Sequence, residues 1–69
     1  MYKKSEVFLI VLDHAVEFAD DEGVIFEGDI ADELKRALEF SEITVSESKF
    51  SEMLSNLIIA LEVKGYVVV

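Results

Sequence analysis

The segment LIIALEVKGYVVV, residues 57–69, combines the end of an apolar helix, a glycine and a run of β-forming residues. Leu57, Ile58 and Leu61 recur at the spacing of one helix face. Gly65 suits the left-handed position that commonly follows the last turn of a helix. The β-branched residues after it favour an extended strand. The segment therefore predicts a helix that ends near Lys64 and leads directly into a strand.

The residues before this segment extend the same helix toward its start. Its predicted apolar stripe comprises Phe50, Met53, Leu54, Leu57, Ile58 and Leu61. Thr44 or Ser46 is the expected N-cap, and Thr44-x-x-Glu47 matches the capping-box pattern. The third helix of the chain is therefore expected to begin just after residues 44–46.

Residues 5–21 predict a first helix with an unusually wide apolar face. Its main stripe is Phe8, Val11, Leu12, Ala15, Phe18 and Ala19. Val7 and Ile10 widen this face, so the helix is expected to lie either at the centre of the fold or in a dimer. Val7 and Ile10 are the residues predicted to contact a second copy in the dimer interpretation.

A strand and a second helix are predicted between these two helices. The run VIFE (24–27) lies between two glycines and favours a strand. Asp29 is the expected N-cap of a helix that extends to about Phe40. The residues of that helix expected to face inward are Ile30, Leu34, Ala37 and Leu38. The strand is expected to pair with YVVV (66–69) in an antiparallel or mixed ribbon.

The predicted fold is one domain, residues 1–69, mostly α with a small two-stranded β ribbon. Its order is helix, strand, helix, turn, helix, strand. IADELKRAL (30–38), EFSEIT (39–44) and FSEMLSNLIIALEVKGYVVV (50–69) resemble winged helix-turn-helix domains. The resemblance implies that the third helix occupies the place of a recognition helix. The chain departs from the family pattern because it ends at Val69, without the hairpin wing and its third strand, and because its helix surfaces are acidic.

Charge and composition narrow the classes of partner. The chain has 15 acidic and 6 basic residues, one His and no Cys, with a net charge of −9. Phosphate contacts require Lys and Arg, so nucleic acid and anionic membranes are disfavoured and a basic protein surface is favoured. The 52% hydrophobic content of so short a chain favours either a dimer or a surface for a partner. The longest apolar run, 7–12, is too short to span a bilayer, and no cleavage site follows it, so a cytoplasmic protein is expected.

Residues with chemical potential do not form a recognisable catalytic or metal pattern. The stretch 18–29 has a glycine at the sixth position of a calcium loop, but Phe18 and Asp29 stand where the loop needs a ligand oxygen and a bidentate Glu. His14 has no nucleophile fixed beside it and is expected on the surface. A non-enzymatic protein without a cofactor or metal is therefore expected.

The favoured interpretation is an interaction module that regulates or inhibits a nucleic-acid-handling protein by contacting its basic surface. Small acidic viral or phage proteins that imitate the charge of DNA provide an analogy. The predicted partner-binding residues are Asp20, Asp21, Glu22, Glu27, Glu47, Ser51, Glu52 and Ser55.

Two other functions remain open. A homodimeric DNA-binding transcription regulator would use Lys3, Lys4, Ser48, Lys49 and Asn56. A structural oligomerisation module would use the apolar run of the first helix.

Overall fold

The computed structural model describes residues 2–69 as three helices and a two-stranded sheet. Each strand is only two residues long, whereas the three helices contain most of the chain. The predicted order of elements is confirmed. The elements are α1 (Lys4–Val16), β1 (Val24–Ile25), α2 (Glu27–Phe40), α3 (Glu47–Val63) and β2 (Val67–Val68).

Helix α1 lies at the centre of the core, where it contacts both α2 and α3. Val7, Val11 and Ala15 have no exposed surface. They belong to one apolar cluster whose other fully buried members are Ile25, Ile30, Leu34, Leu57 and Leu61. The core faces predicted for α2 and α3 are therefore confirmed.

The central position of α1 bears on the predicted dimer contact. Val7 is fully buried within a single chain, so it has no surface to offer a second copy, and the dimer prediction is wrong at this residue. The wide apolar face of α1 is instead used by the two other helices. Ile10 is only partly buried, and its role in a dimer stays a prediction.

The two strands pair as expected, but they run parallel. Val24 lies opposite Val67, and Ile25 lies opposite Val68. The antiparallel alternative is therefore wrong. The connection between the strands contains both α2 and α3, and a parallel pair requires a long crossover of this kind.

Helix α1 ends five residues earlier than predicted. The N–H of Glu17 bonds to the C=O of His14 at 3.1 Å, and the N–H of Phe18 to that of Ala15 at 3.0 Å, which are three-residue turns. Phe18 continues the helical apolar spacing in sequence, yet its side chain is 39% exposed. The chain leaves the helix here because it must turn back to enter β1.

Helix α2 begins two residues before the predicted cap at Asp29. The C=O of Phe26 accepts the N–H of Asp29 at 3.1 Å, so Asp29 already lies inside the first turn. The N–H of Glu27 bonds to the C=O of Val69 at 2.8 Å. Sheet pairing thus extends to the first helical residue, and the helix starts directly where the strand ends.

The N-cap of α3 is Ser46, which is one of the two residues predicted for this role. Its Oγ accepts the backbone N–H of Lys49 at 3.1 Å. The capping box starting at Thr44 is wrong, because Thr44 lies two residues before the cap in the exposed connector. At the other end Gly65 has φ +101°, and the N–H of Tyr66 bonds to the C=O of Leu61 at 3.1 Å. This is the predicted glycine stop.

Helix α2 ends with the same geometry but without a glycine. Glu42 has φ +57°, and the N–H of Ile43 bonds to the C=O of Leu38 at 2.9 Å. The adjacent Ser41 is buried, and its Oγ accepts the N–H of Tyr2 at 3.0 Å. The connector between α2 and α3 is thereby fixed to the start of the chain.

Candidate functional site

The acidic turn between α1 and β1 is ordered by one of its own carboxylates. Oδ1 of Asp20 accepts the N–H of Glu22 at 2.8 Å and the N–H of Val24 at 3.0 Å. The N–H of Asp20 donates to the C=O of Val24 at 3.1 Å. Asp20 was predicted to bind a partner, and the structure gives its carboxylate a local structural role as well. Gly23, with φ +79°, completes the turn.

The other acids predicted around β1 are exposed. Asp21 and Glu22 lie in the same turn as Asp20, with their side chains in solvent. Glu27 lies at the far end of β1, on the first residue of α2, and is also exposed. The structure therefore brings three of the four predicted acids into one turn and places the fourth beyond the short strand.

The predicted contact residues of α3 occupy two different faces of that helix. At 3.6 residues per turn, Ser48, Glu52, Ser55, Ile59 and Val63 fall within about 80° of one another, opposite the buried stripe. We call these five residues the outward face of α3. All of them are exposed, and Ile59 and Val63 are 56% and 82% exposed. The outward face thus has one acid, no base and two large apolar side chains.

Glu47 and Ser51 lie to the side of the outward face. With Lys35 of α2 and with Val45, Ser46 and Phe50 they line a shallow groove where α2 and α3 meet. The four predicted contact residues of α3 are therefore divided between this groove and the outward face. A partner that contacts all four must cover more than one face of the helix.

The residues predicted for DNA contact are exposed or partly exposed, and one of their three lysines pairs with an acid. Lys49 Nζ lies 3.4 Å from Oε1 of Glu52, one turn along α3. Lys3 and Lys4 begin α1, where the Glu6 carboxylate accepts the N–H of Lys3 at 2.9 Å. Asn56 is exposed on the edge of the outward face. The ion pair with Glu52 reduces the local positive potential around Lys49.

A polar cluster between α1 and α2 was not predicted from sequence. His14 Nδ1 lies 2.9 Å from Oε1 of Glu33, and the Arg36 guanidinium lies 3.8 Å from the other oxygen of the same carboxylate. The cluster borders an open groove of about 210 Å³ that is also lined by the rings of Tyr2 and Phe40, which are tilted at 50° to each other with centroids 5.5 Å apart. No local pattern signals this cluster, because His14 and Glu33 are 19 residues apart and meet only through helix packing.

Neither a metal site nor a membrane-spanning helix is found among residues 2–69. Among residues 2–69, no group of three or more His, Cys, Asp and Glu side chains could hold a metal ion. Over the same residues, no helix has the length and apolarity needed to cross a membrane. Comparisons with protein-family models, with curated proteins and with solved structures found no match.

Proposed function

We propose that this chain is a non-enzymatic, acidic interaction module on a winged-helix-like scaffold. It regulates or inhibits a nucleic-acid-handling protein of the transcription or defence machinery by direct contact with a basic surface. The observation that supports this most is the outward face of α3, which lies where a DNA reader would place its recognition helix yet has no basic residue. The proposed place of action is the cytoplasm.

Charge argues against DNA as the ligand of that face. Phosphate contacts by Lys and Arg supply most non-specific affinity for DNA. The base nearest to the outward face is Lys49, whose ammonium is 3.4 Å from the carboxylate of Glu52. The whole chain has a net charge of −9, so a duplex would be repelled at long range. A positively charged protein would be attracted by the same field.

The composition of the outward face fits a protein ligand. Ile59 and Val63 are exposed apolar residues one turn apart at the C-terminal end of this face, and Ser48, Glu52 and Ser55 supply polar groups along the preceding turns. Protein interfaces combine apolar and polar groups. In the proposed complex the two apolar side chains are covered, and the acids of α3 and of the turn at 20–22 contact basic groups of the partner.

The test is a comparison of charge-reversal variants. A partner is first captured on the immobilised protein from nuclease-treated cell extract and purified, and its affinity is measured by competition against a labelled DNA duplex. We expect the double variant Glu47→Lys, Glu52→Lys to bind at least about tenfold more weakly, as for the loss of close interfacial charge pairs. The matched control is Asp13→Lys, Glu17→Lys, which makes the same change in net charge on exposed residues of α1 and its C-terminal turn.

Equal loss of affinity in the two double variants would contradict a contact through α3, because only the total charge would then matter. A partner that keeps its DNA while bound to this protein would contradict competition for a basic nucleic-acid site.

The alternative, a DNA-binding regulator, is tested directly by fluorescence anisotropy. Labelled duplex is titrated with the protein at low and at moderate salt. We expect no binding at either salt concentration. Binding at low salt that weakens steeply as salt rises would show that lysines gather on one surface, and it would favour the DNA-binding function over the proposal.

A further inference from the structure

The two edges of the β ribbon differ in whether their backbone N–H and C=O groups have hydrogen-bond partners. The outer edge of β1 is closed by the acidic turn, where Asp20 and Val24 exchange hydrogen bonds through the Asp20 N–H and the Asp20 carboxylate. This turn leaves no room for another strand beside β1. A closed edge of this kind prevents pairing with other chains.

The outer edge of β2 is open. The N–H of Val67 bonds to Gly23 C=O, and the N–H of Val69 bonds to Ile25 C=O, both at 2.9 Å. Val67 of β2 and the following Val69 therefore both direct their backbone toward β1. Because backbone groups alternate along a strand, Val68 directs its N–H and C=O away from β1. Within residues 2–69, no segment outside the ribbon donates to or accepts from Val68.

The solvent side of the ribbon is apolar. Ile25 and Val68 face the core, so Val24, Phe26, Val67 and Val69 face outward. Phe26, Val67 and Val69 are 62%, 53% and 59% exposed. We call Val24, Phe26, Val67 and Val69 the outer ribbon face. An open edge beside an apolar face is the usual setting for addition of a strand.

Charge indicates which strand this edge accepts. Residues 57–69 contain one acid, Glu62, and one base, Lys64, so their net charge is zero. The other residues hold fourteen acids and five bases and therefore carry the whole net charge of −9. A basic partner is drawn to that acidic part of the molecule. A neutral apolar strand edge pairs best with another neutral apolar strand edge. The β2 edge of a second copy of this chain has these properties.

We propose that β2 pairs antiparallel with β2 of a second copy, across a two-fold axis at Val68. The two Val68 residues then exchange both of their outward hydrogen bonds, as directly opposed residues do in antiparallel sheets. Val67 of each copy lies opposite Val69 of the other, so the outer ribbon faces join. The product is one four-stranded sheet in the order β1-β2-β2-β1, with both outer edges closed by the acidic turns. A two-fold dimer is also the commonest form of self-association.

This dimer has a salt dependence opposite to that of the proposed function. Two copies of charge −9 repel each other, and salt screens the repulsion, so dimerisation strengthens as salt rises. Binding of a basic partner by the acidic surface weakens as salt rises. The two proposals use different residues, and either one can fail without the other.

The test is the dimer dissociation constant measured by sedimentation equilibrium at low and high salt. Val67→Lys places a charge on the outer ribbon face beside the open edge, and we expect it to raise the dissociation constant about tenfold or more. Val63→Lys is the matched control, since it makes the same substitution at an exposed valine on the outward face of α3. We expect Val63→Lys to change the constant little, and circular dichroism should show that both variants keep their helices.

A second variant tests the backbone contact without changing any side chain. Chemical synthesis of a chain of this length allows N-methylation of Val68, which removes only the outward N–H and blocks the edge. We expect this chain to be folded and monomeric. The proposal is overturned if the unmodified chain stays monomeric at high concentration and high salt, if both lysine variants weaken the dimer equally, or if the N-methylated chain dimerises normally. A wild-type monomer that instead binds an extended basic peptide would also overturn it.

Discussion

Leu57→Ala tests the core on which every surface of this protein depends. Leu57 lies in the middle of α3, has no exposed surface and belongs to the cluster formed with α1 and α2. The substitution removes three carbons from a packed site and leaves a cavity that the helices can only partly close. Buried changes of this kind cost about 2–5 kcal/mol.

That cost is large for so short a chain. Domains are stable by roughly 0.05–0.15 kcal/mol per residue, which gives about 3–10 kcal/mol for this one. Leu57→Ala therefore removes a major part of the free energy of unfolding. We expect the melting temperature to fall by about 10 °C or more, because each kcal/mol corresponds to several degrees in a domain of this size.

The assay is urea and thermal unfolding followed by circular dichroism, with Ile59→Ala as the matched control. Ile59 is in the same helix, loses the same number of carbons and is 56% exposed. Alanine is also the better helix former, so the control should be neutral or slightly stabilising. Equal losses of stability in the two variants, or an unchanged midpoint for Leu57→Ala, would refute the placement of α3 against α1.

Three further substitutions test the local structures that set the ends of the elements, each by the midpoint of urea unfolding. Asp20→Ala should destabilise the protein by about 1 kcal/mol, because the hydrogen bonds of the turn are lost. Asp20→Asn keeps an acceptor and should destabilise it less. Equal losses of stability in the two variants would show that charge and not hydrogen bonding orders the turn. Ser46→Ala should cost about 1 kcal/mol and Thr44→Ala close to nothing, and the reverse order would restore Thr44 as the cap. Glu42→Gly should stabilise the protein by up to about 1 kcal/mol because φ is positive there, whereas Gly65→Ala should destabilise it by a similar amount; no change in either would contradict the left-handed geometry at the two helix ends.

The residue type at each helix end explains which helix boundaries could be predicted from sequence. Ser46 and Gly65 carry their own local signal, a cap hydroxyl and a residue without a side chain. Gly65 was predicted from sequence, and Ser46 was one of two predicted alternatives. Glu42 adopts the same left-handed geometry as Gly65 but has no such signal, because the packing of the α2–α3 connector imposes its conformation. Asp29 has the signal of a cap, yet sheet pairing through Glu27 starts the helix earlier.

The predicted contact residues of α3 likewise have features that sequence predicts and features that it does not. The exposure of Glu47, Ser51, Glu52 and Ser55 follows from helical periodicity, because a residue outside the apolar stripe faces solvent. Their division between a groove and the outward face depends on where α2 lies, which no local pattern specifies. The pair formed by His14 and Glu33 likewise depends on a contact between separate helices. The Asp20 carboxylate, by contrast, bonds to N–H groups of its own turn.

By itself, the sequence determined the number, type and order of the elements, most residues of the core and the acidic balance of the chain. Those features follow from the spacing of apolar residues and from composition, which are local or summed properties of the chain. The tertiary structure decided between the two positions left open for α1, and it alone showed that the strands run parallel and that Val68 lies at an open edge. These features depend on contacts between residues distant in the chain, and their geometry is set by how the three helices pack around one small core.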